Sequence, residues 1–512
     1  MKRILKTTIT SALVLSMALS GATAAVAATP AAEENCISAS AVADWAENVK
    51  IKLFNKSIYA KYAPGVTVEK DENSPTGYTV TFIYKEQKSY TSKAGLTINT
   101  AENPLTKVEL YSDCFMLFDP AGGKAGVIDA SLAATPYNYT AGLAPAGGNG
   151  DTTYYVEMEK FADGRWGVQM PLSSGAFVYN FRVTAENGDQ IARLDDPSNT
   201  TMINEATGIR SLSSMVYVPY DADKQGTSTW ADRSVELPQA DANKRGTVQT
   251  VSYTGADATE HGLAVYLPAG YDANRAEPYK VLYLSHGTSG DIYGDELRWM
   301  NEGAVANILD NLIAEGKTEP FIVVTMNNQQ YKWKYSEIET DQIDYIMPYV
   351  ESHYNVSTTA EGRAYAGLSM GGAGCMKIGL ANPDNYAAIG CLSAGASNRR
   401  ASVEQTEAGK RRQTMIYGDR NLEGTEEDPF GNARKIVEQG LPAPRIYHST
   451  GASDFLLENA HATRDFFQSI PGNPFDYTYE EDPGAHTWEY WDEHIQHFLR
   501  FIGLKPVAGV RN

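Results

Sequence analysis

The sequence predicts an α/β protein: a doubly wound, largely parallel sheet preceded by an all-β sandwich. Two patterns predict it. Between residues 65 and 220, short segments of alternating apolar and polar residues are divided by turn-rich pieces; beyond residue 246, apolar runs alternate with helical periodicity. The composition agrees, since 512 residues with 42% hydrophobic and 21% charged side chains are ordinary for packed domains and too apolar for a disordered chain.

Taken in order, residues 1–27 have a basic start (Lys2, Arg3, Lys6), an apolar stretch around Ala12–Leu19 and the small-residue end Ala25-Val26-Ala27. This is the pattern of a secretory signal peptide cleaved near Ala27, and it predicts a secreted, extracellular product. Residues 28–64 read as an N-terminal extension with one helix over Ala41–Leu53. The sandwich, 65–220, draws its strands from Tyr78–Tyr84, Lys107–Leu110, Thr153–Met158, Arg165–Met170, Ala176–Val183 and Met215–Val218, with Ser89–Pro104 as a loop insertion. The polar, interrupted stretch 221–245 reads as a linker.

In the last part, 246–506, the strand-like runs are Leu263–Leu267, Tyr279–Leu284, Phe321–Met326, Ala364–Leu368, Ala388–Leu392, Gln413–Tyr417, Arg445–His448 and Phe475–Tyr479. Val305, Ile308, Leu309, Leu312 and Ile313 share one helical face, and Ile343, Ile346, Met347 and Val350 share another. Strands separated by helices make a parallel sheet, whose chemistry gathers at the carboxyl ends of the strands.

Charge and cysteine content narrow the partners. Lys and Arg number 43 against 63 Asp and Glu, a net charge of −20, which repels nucleic acid and anionic membranes. No apolar run after the leader is long enough to span a bilayer. Cys36, Cys114, Cys375 and Cys391 are too few to scaffold so long a chain, and no two share the spacing of a zinc site; bridged and free thiols stay equally open.

Gly367-Leu368-Ser369-Met370-Gly371 closes one apolar run and opens a small-residue helix. That is a nucleophile elbow, a tight strand-to-helix turn lifting a serine hydroxyl above the sheet. A serine needs a base, and the base an orienting acid. Asp454 follows the run Arg445–His448 and His486 follows the last run, so Ser369, Asp454 and His486 stand in the order and at the strand ends that a catalytic triad requires. Asp419 and Glu458 compete for the acid's role. His494 and His497, three apart in the closing helix, read as packed or surface residues, because no carboxylate or cysteine has matching spacing. The oxyanion hole is expected from the N–H groups of Met370 and Thr288, with His286 bracing the intervening turn.

Residues from about 245 to 505 resemble the esterase branch of the α/β-hydrolases that includes feruloyl esterases, esterase D and the mycolyltransferases. The resemblance rests on Val265-Tyr266-Leu267-Pro268 with Gly270-Tyr271, Leu282-Tyr283-Leu284-Ser285-His286-Gly287, Ala366-Gly367-Leu368-Ser369-Met370-Gly371-Gly372, Asn382-Pro383-Asp384 and Gly484-Ala485-His486-Thr487-Trp488. Ser285 and Thr288 depart from it, since the family often has an apolar residue before the histidine and a glycine-rich loop after Gly287. The front part, with Asp163-Gly164-Arg165-Trp166, Tyr179-Asn180-Phe181 and Asp196-Pro197-Ser198-Asn199, is similar to the early-set immunoglobulin-like domain that precedes such esterases in plant-wall degraders.

The resemblance implies hydrolysis of a feruloyl ester of cell-wall arabinoxylan through an acyl-enzyme, with no metal or organic cofactor, and a plant polysaccharide ester or its fragments as partner. An aromatic acid needs an aromatic slot, for which Trp299, Tyr331, Trp333, Tyr335 and Trp488 are leads. The same triad would serve an acetyl xylan esterase, another small-ester hydrolase or an acyltransferase. A non-catalytic carbohydrate-binding protein is the reading from another class.

Overall fold

The computed structural model describes residues 61–503 except 93, 113–114, 116, 120–135, 146–154, 212, 228–229, 289–294 and 396–427. The expected leader, the helix Ala41–Leu53, Cys36, Cys114, the run Gln413–Tyr417 and Asp419 lie outside the described residues. The chain divides into two units: the first holds residues 61–201 and 213–237, the second 202–211 and 238 onward.

The first unit is built from two antiparallel sheets. One has the order Gly65–Lys70, Tyr78–Lys85, Arg165–Pro171, Glu159–Lys160; the other has Gln190–Leu194, Gly175–Ala185, Leu105–Ser112, Tyr155–Glu157, with Ser214–Val218 also paired to Gly175–Ala185. Alternate residues of the two sheets, among them Val80, Phe82, Tyr84, Val108, Leu110, Phe181 and Val183, close one core. Rings meet across it, Phe82 on Tyr179 at 5.0 Å and Tyr84 on Phe181 at 4.4 Å. The stretch Ser89–Pro104 contains a small hairpin, Ser89–Thr91 with Thr97–Asn99, whose Tyr90 and Ile98 enter that core. Trp166 is likewise a core residue.

The stretch 221–245 differs from an open linker. Gln225 is fully buried, accepting from the Ser174 N–H at 2.8 Å and donating to the Thr76 carbonyl at 2.8 Å, while Glu236 accepts from the Ala176 N–H at 3.0 Å. These two polar side chains tie the segment through residue 237 to the sandwich, and polar composition alone hid them.

The second unit carries an eight-stranded sheet: β1 (Thr247–Thr254), β2 (Glu260–Leu267), β3 (Lys280–Ser285), β4 (Phe321–Met326), β5 (Arg363–Leu368), β6 (Ala388–Leu392), β7 (Arg445–Gly451) and β8 (Thr478–Asp482). Its order is β1-β2-β4-β3-β5-β6-β7-β8, parallel from β4 to β8 and antiparallel at β1–β2 and β2–β4. The helices used below are α1 (Val305–Ala314), α2 (Met370–Ala381), α3 (Pro429–Gln439), α4 (Leu457–Gln468) and α5 (Trp488–Gly503). Apolar residues on both faces, such as Val281, Leu282, Tyr283 and Leu284, are buried because helices cover both sides. Edge strand β1 carries no apolar run, because it is mostly half-exposed and polar. Strand β8 starts three residues later than expected, with Asn473 and Asp476 at positive φ turning the chain beforehand.

The chain changes direction across the sheet at β3, which lies between β4 and β5. The carboxyl ends of β3 and β5 therefore flank a topological switch, where such sheets open a crevice.

Candidate active site

Ser369 sits between β5 and α2 with φ 53° and ψ −119°, a conformation that costs a non-glycine residue about 1–3 kcal/mol. The surroundings hold it there. Its N–H donates to the carbonyl of Leu392, the last residue of β6, at 2.9 Å, and its carbonyl accepts from Ala373 in the first turn of α2 at 2.9 Å. The glycines are steric necessities, since a Cβ on Gly371 would stand 2.3 Å from the His286 carbonyl oxygen. The N–H groups opening α2, Met370 first, have no partners within the helix and supply positive potential beside the hydroxyl. Tyr335, buried, donates its hydroxyl to the Met370 carbonyl at 3.0 Å and steadies this turn, so it is a brace and not part of an aromatic slot.

Strands β7 and β8 lead to Asp454 and His486. Beyond their ends, Ala452 N–H donates to the Asp482 carbonyl at 2.9 Å and Ser453 N–H to the Gly484 carbonyl at 2.8 Å, which zips the two loops together. His486 Nδ1 lies 2.8 Å from Asp454 Oδ2, and the Leu456 N–H donates to Asp454 Oδ1 at 2.8 Å. The Asp454 side chain is wholly buried and that of His486 is 16% exposed. A buried carboxylate holding Nδ1–H leaves Nε2 as the basic nitrogen, which is the tautomer general-base catalysis uses. The competing acid Glu458 is exposed on the first turn of α4.

The turn after β3 faces the elbow. His286 is fully buried, donating from Nδ1 to the Gly287 carbonyl at 2.5 Å and accepting the Asn328 N–H at Nε2 at 3.3 Å. Burial above all, with the nearby Arg298 charge, pushes its pKa down to about 3, so the ring is a neutral strut. Gly287 packs on Leu368 and Ser369, and the next residue, Thr288, is exposed. A second neutral ring, His448 on β7, donates to the Ala394 carbonyl at 2.9 Å and accepts from the Tyr477 hydroxyl at 2.7 Å; burial lowers its pKa to about 4.

The aromatic leads divide. Trp299 is 1% exposed and spends its indole N–H on the Ser285 carbonyl at 2.8 Å, and Trp488 packs edge-on against it at 5.3 Å. Tyr331 is buried beside His261, with its hydroxyl 3.5 Å from His261 Nε2. These three are core, because a strand end is also where large side chains seal a sheet. Trp333 is half-buried, edge-on to His286 at 5.3 Å. Sequence reasoning missed Phe455, which is 48% exposed with its ring 4.5 Å from that of His486. It also missed Trp491, buried and edge-on to the imidazole at 5.0 Å. Position next to Asp454 was the one signal for Phe455.

Cys375 and Cys391 are buried free thiols; Cys375 donates to the Gly390 carbonyl at 2.7 Å and burial raises its pKa. They are packing residues. Among the described residues no helix is long and apolar enough to cross a membrane.

Residues 257–502 match the profile of the family described as Putative esterase. The chain is 32% identical over 190 residues to an endo-1,4-beta-xylanase/feruloyl esterase of Xylanibacter ruminicola, covering 33% of this chain and 26% of that protein. It is 25% identical over 238 residues to an acetyl esterase of Caldicellulosiruptor saccharolyticus, covering 44% of this chain and 84% of that one. The match thus spans about a quarter of the first relative and most of the second. Among solved structures, the feruloyl esterase module from Clostridium thermocellum complexed with sinapinate aligns with TM-score 0.39 at 24% identity, over 54% of this chain and 95% of that one.

Proposed function

We propose that the second unit is a serine esterase that hydrolyses hydroxycinnamoyl esters of plant cell-wall polysaccharide. The observation that carries this reading is the buried Asp454–His486 hydrogen bond of 2.8 Å beyond the ends of β7 and β8, in the same sheet whose β5 leads directly into the strained Ser369. A carboxylate locked onto one imidazole nitrogen activates the other, and a serine raised on a tight turn is what it would activate.

In this reading Ser369 Oγ attacks the ester carbonyl while His486 Nε2 takes its proton, and Asp454 stabilises the imidazolium. The N–H groups of Met370 and Thr288 receive the developing oxyanion. The sugar alcohol leaves with the proton from His486, and water, deprotonated by the same nitrogen, releases the acid and restores the serine. Phe455 and Trp333 offer the acyl ring its exposed aromatic surfaces.

The feruloyl relative and the aromatic surface at Phe455 favour an aromatic acyl group. A second reading, acetyl ester hydrolysis, is favoured by the acetyl esterase relative, most of whose length is matched. Rates on methyl ferulate and on 4-nitrophenyl acetate, with Ser369→Ala as the blank, test both: preference for the ferulate supports the first, preference for the acetate the second, and no serine-dependent rate on either removes the esterase reading. We read the first unit as an early-set immunoglobulin-like sandwich, and residues 1–27 as a leader that makes the protein extracellular.

A further inference from the structure

From the cluster Glu480, His494 and His497, we propose a divalent transition-metal site, suited to Zn2+, that staples β8 to α5. Glu480 Oε2 lies 2.7 Å from His497 Nδ1 and 3.5 Å from His494 Nδ1, and the three donor atoms fall within 4.8 Å of one another. Two imidazoles and one carboxylate are a donor set that zinc accepts, with water completing the tetrahedron.

The outer groups are arranged as a metal site needs. Each histidine turns Nδ1 to the shared centre and Nε2 to a carboxylate: His494 to Asp482 at 3.6 Å, His497 to Glu493 at 3.6 Å. Ligating histidines commonly present their second nitrogen to a carboxylate in this way. The Tyr447 hydroxyl lies 2.6 Å from Glu480 Oε2 and 2.9 Å from His494 Nδ1. It can orient the ligating carboxylate. His494 is fully buried, yet its Nε2 makes no hydrogen bond. An ion on Nδ1 would fix the proton on Nε2 and polarise it toward Asp482. Binding displaces the proton shared between His497 and Glu480, which passes to solvent.

The spacing of His494 and His497 along α5 is visible in the sequence, but the carboxylate comes from a strand. Because β8 ends at Asp482 and α5 begins at Trp488, the staple spans the loop that carries His486.

The test is calorimetric titration of ZnCl2 into the chelator-treated full-length chain, with thermal unfolding in parallel. One ion per chain and a rise in Tm of a few degrees are expected. Asp482→Asn should weaken binding about 10- to 100-fold, and His497→Ala and Glu480→Gln should abolish it. Co2+ in place of Zn2+ should give a visible absorption band that both ligand variants lose. Absence of stoichiometric binding, or binding retained in both His497→Ala and Glu480→Gln, overturns the proposal; because both replace partly exposed side chains, their circular dichroism is compared with the parent's to separate lost binding from lost folding.

Discussion

Gly287 lies directly against Ser369: a Cβ added to the glycine would stand 2.9 Å from the serine Cβ and 2.6 Å from Leu368 Cδ1. The turn after β3 therefore touches the elbow after β5 with no room for even a methyl group. Gly287→Ala should push the turn away, carrying the Thr288 N–H out of range of an oxyanion, and lower kcat about 10²- to 10³-fold. Overpacking should cost about 1–3 kcal/mol of stability. Steady-state kinetics on methyl ferulate with urea unfolding checks both, and an unchanged kcat would remove Thr288 from the oxyanion hole.

Asp454→Asn keeps the shape of the acid and removes its charge, so His486 loses its fixed tautomer. A drop in kcat of about 10⁴-fold is expected, with Ser369→Ala falling further and accumulating no covalent acyl-enzyme by mass spectrometry. If Glu458→Gln matched the loss seen for Asp454→Asn, the acid would be misassigned.

Phe455 presents its exposed ring beside His486. Phe455→Ala should raise KM for methyl ferulate about 2- to 10-fold, the worth of one aromatic contact, and leave KM for 4-nitrophenyl acetate unchanged. Equal effects on both esters would make Phe455 a support for His486 and not a contact for the acyl ring.

His286 and His448 are held neutral by burial, with pKa values pushed down to about 3 and about 4. In the unfolded chain each takes up a proton near pH 6.5, while the folded protein does not. The unfolded state therefore binds more protons below pH 6.5, and stability should fall with acidification from there toward pH 4, by about 1.4 kcal/mol per pH unit for each ring. Urea midpoints from pH 7 to pH 4 measure this, and His448→Gln should remove about 1.4 kcal/mol per pH unit of the slope, the share of one ring. A flat profile would mean that the rings are charged in the fold.

Much of this architecture was legible in the chain. Runs such as Phe321–Met326 and Ala388–Leu392 coincide with β4 and β6 because strands buried on both faces are continuously apolar. Asp454 and His486 could be placed because they follow strands, and strand ends in such a sheet converge. What escaped had no period to betray it. Gln225 and Glu236 are polar residues made internal by backbone partners far away in sequence, and Glu480 joins His494 and His497 only through the pairing of a strand with a helix. The tryptophans at positions 299 and 488, leads for an aromatic slot, are core for a related reason: a large ring near a strand end closes the core as readily as it lines a cleft.

The short hairpin Ile203–Asn204 with Ile209–Arg210 belongs to the second unit. Asn204 gives its amide to buried Glu296 at 2.9 Å, and Ser211 gives its hydroxyl to buried Glu302 at 2.8 Å. A recombinant hydrolase trimmed to begin near residue 246 would omit both donors and leave two buried carboxyl groups each short of one partner. Designers seeking a minimal catalyst would do better to carry the hairpin along, joined by a short artificial bridge, than to cut where composition changes.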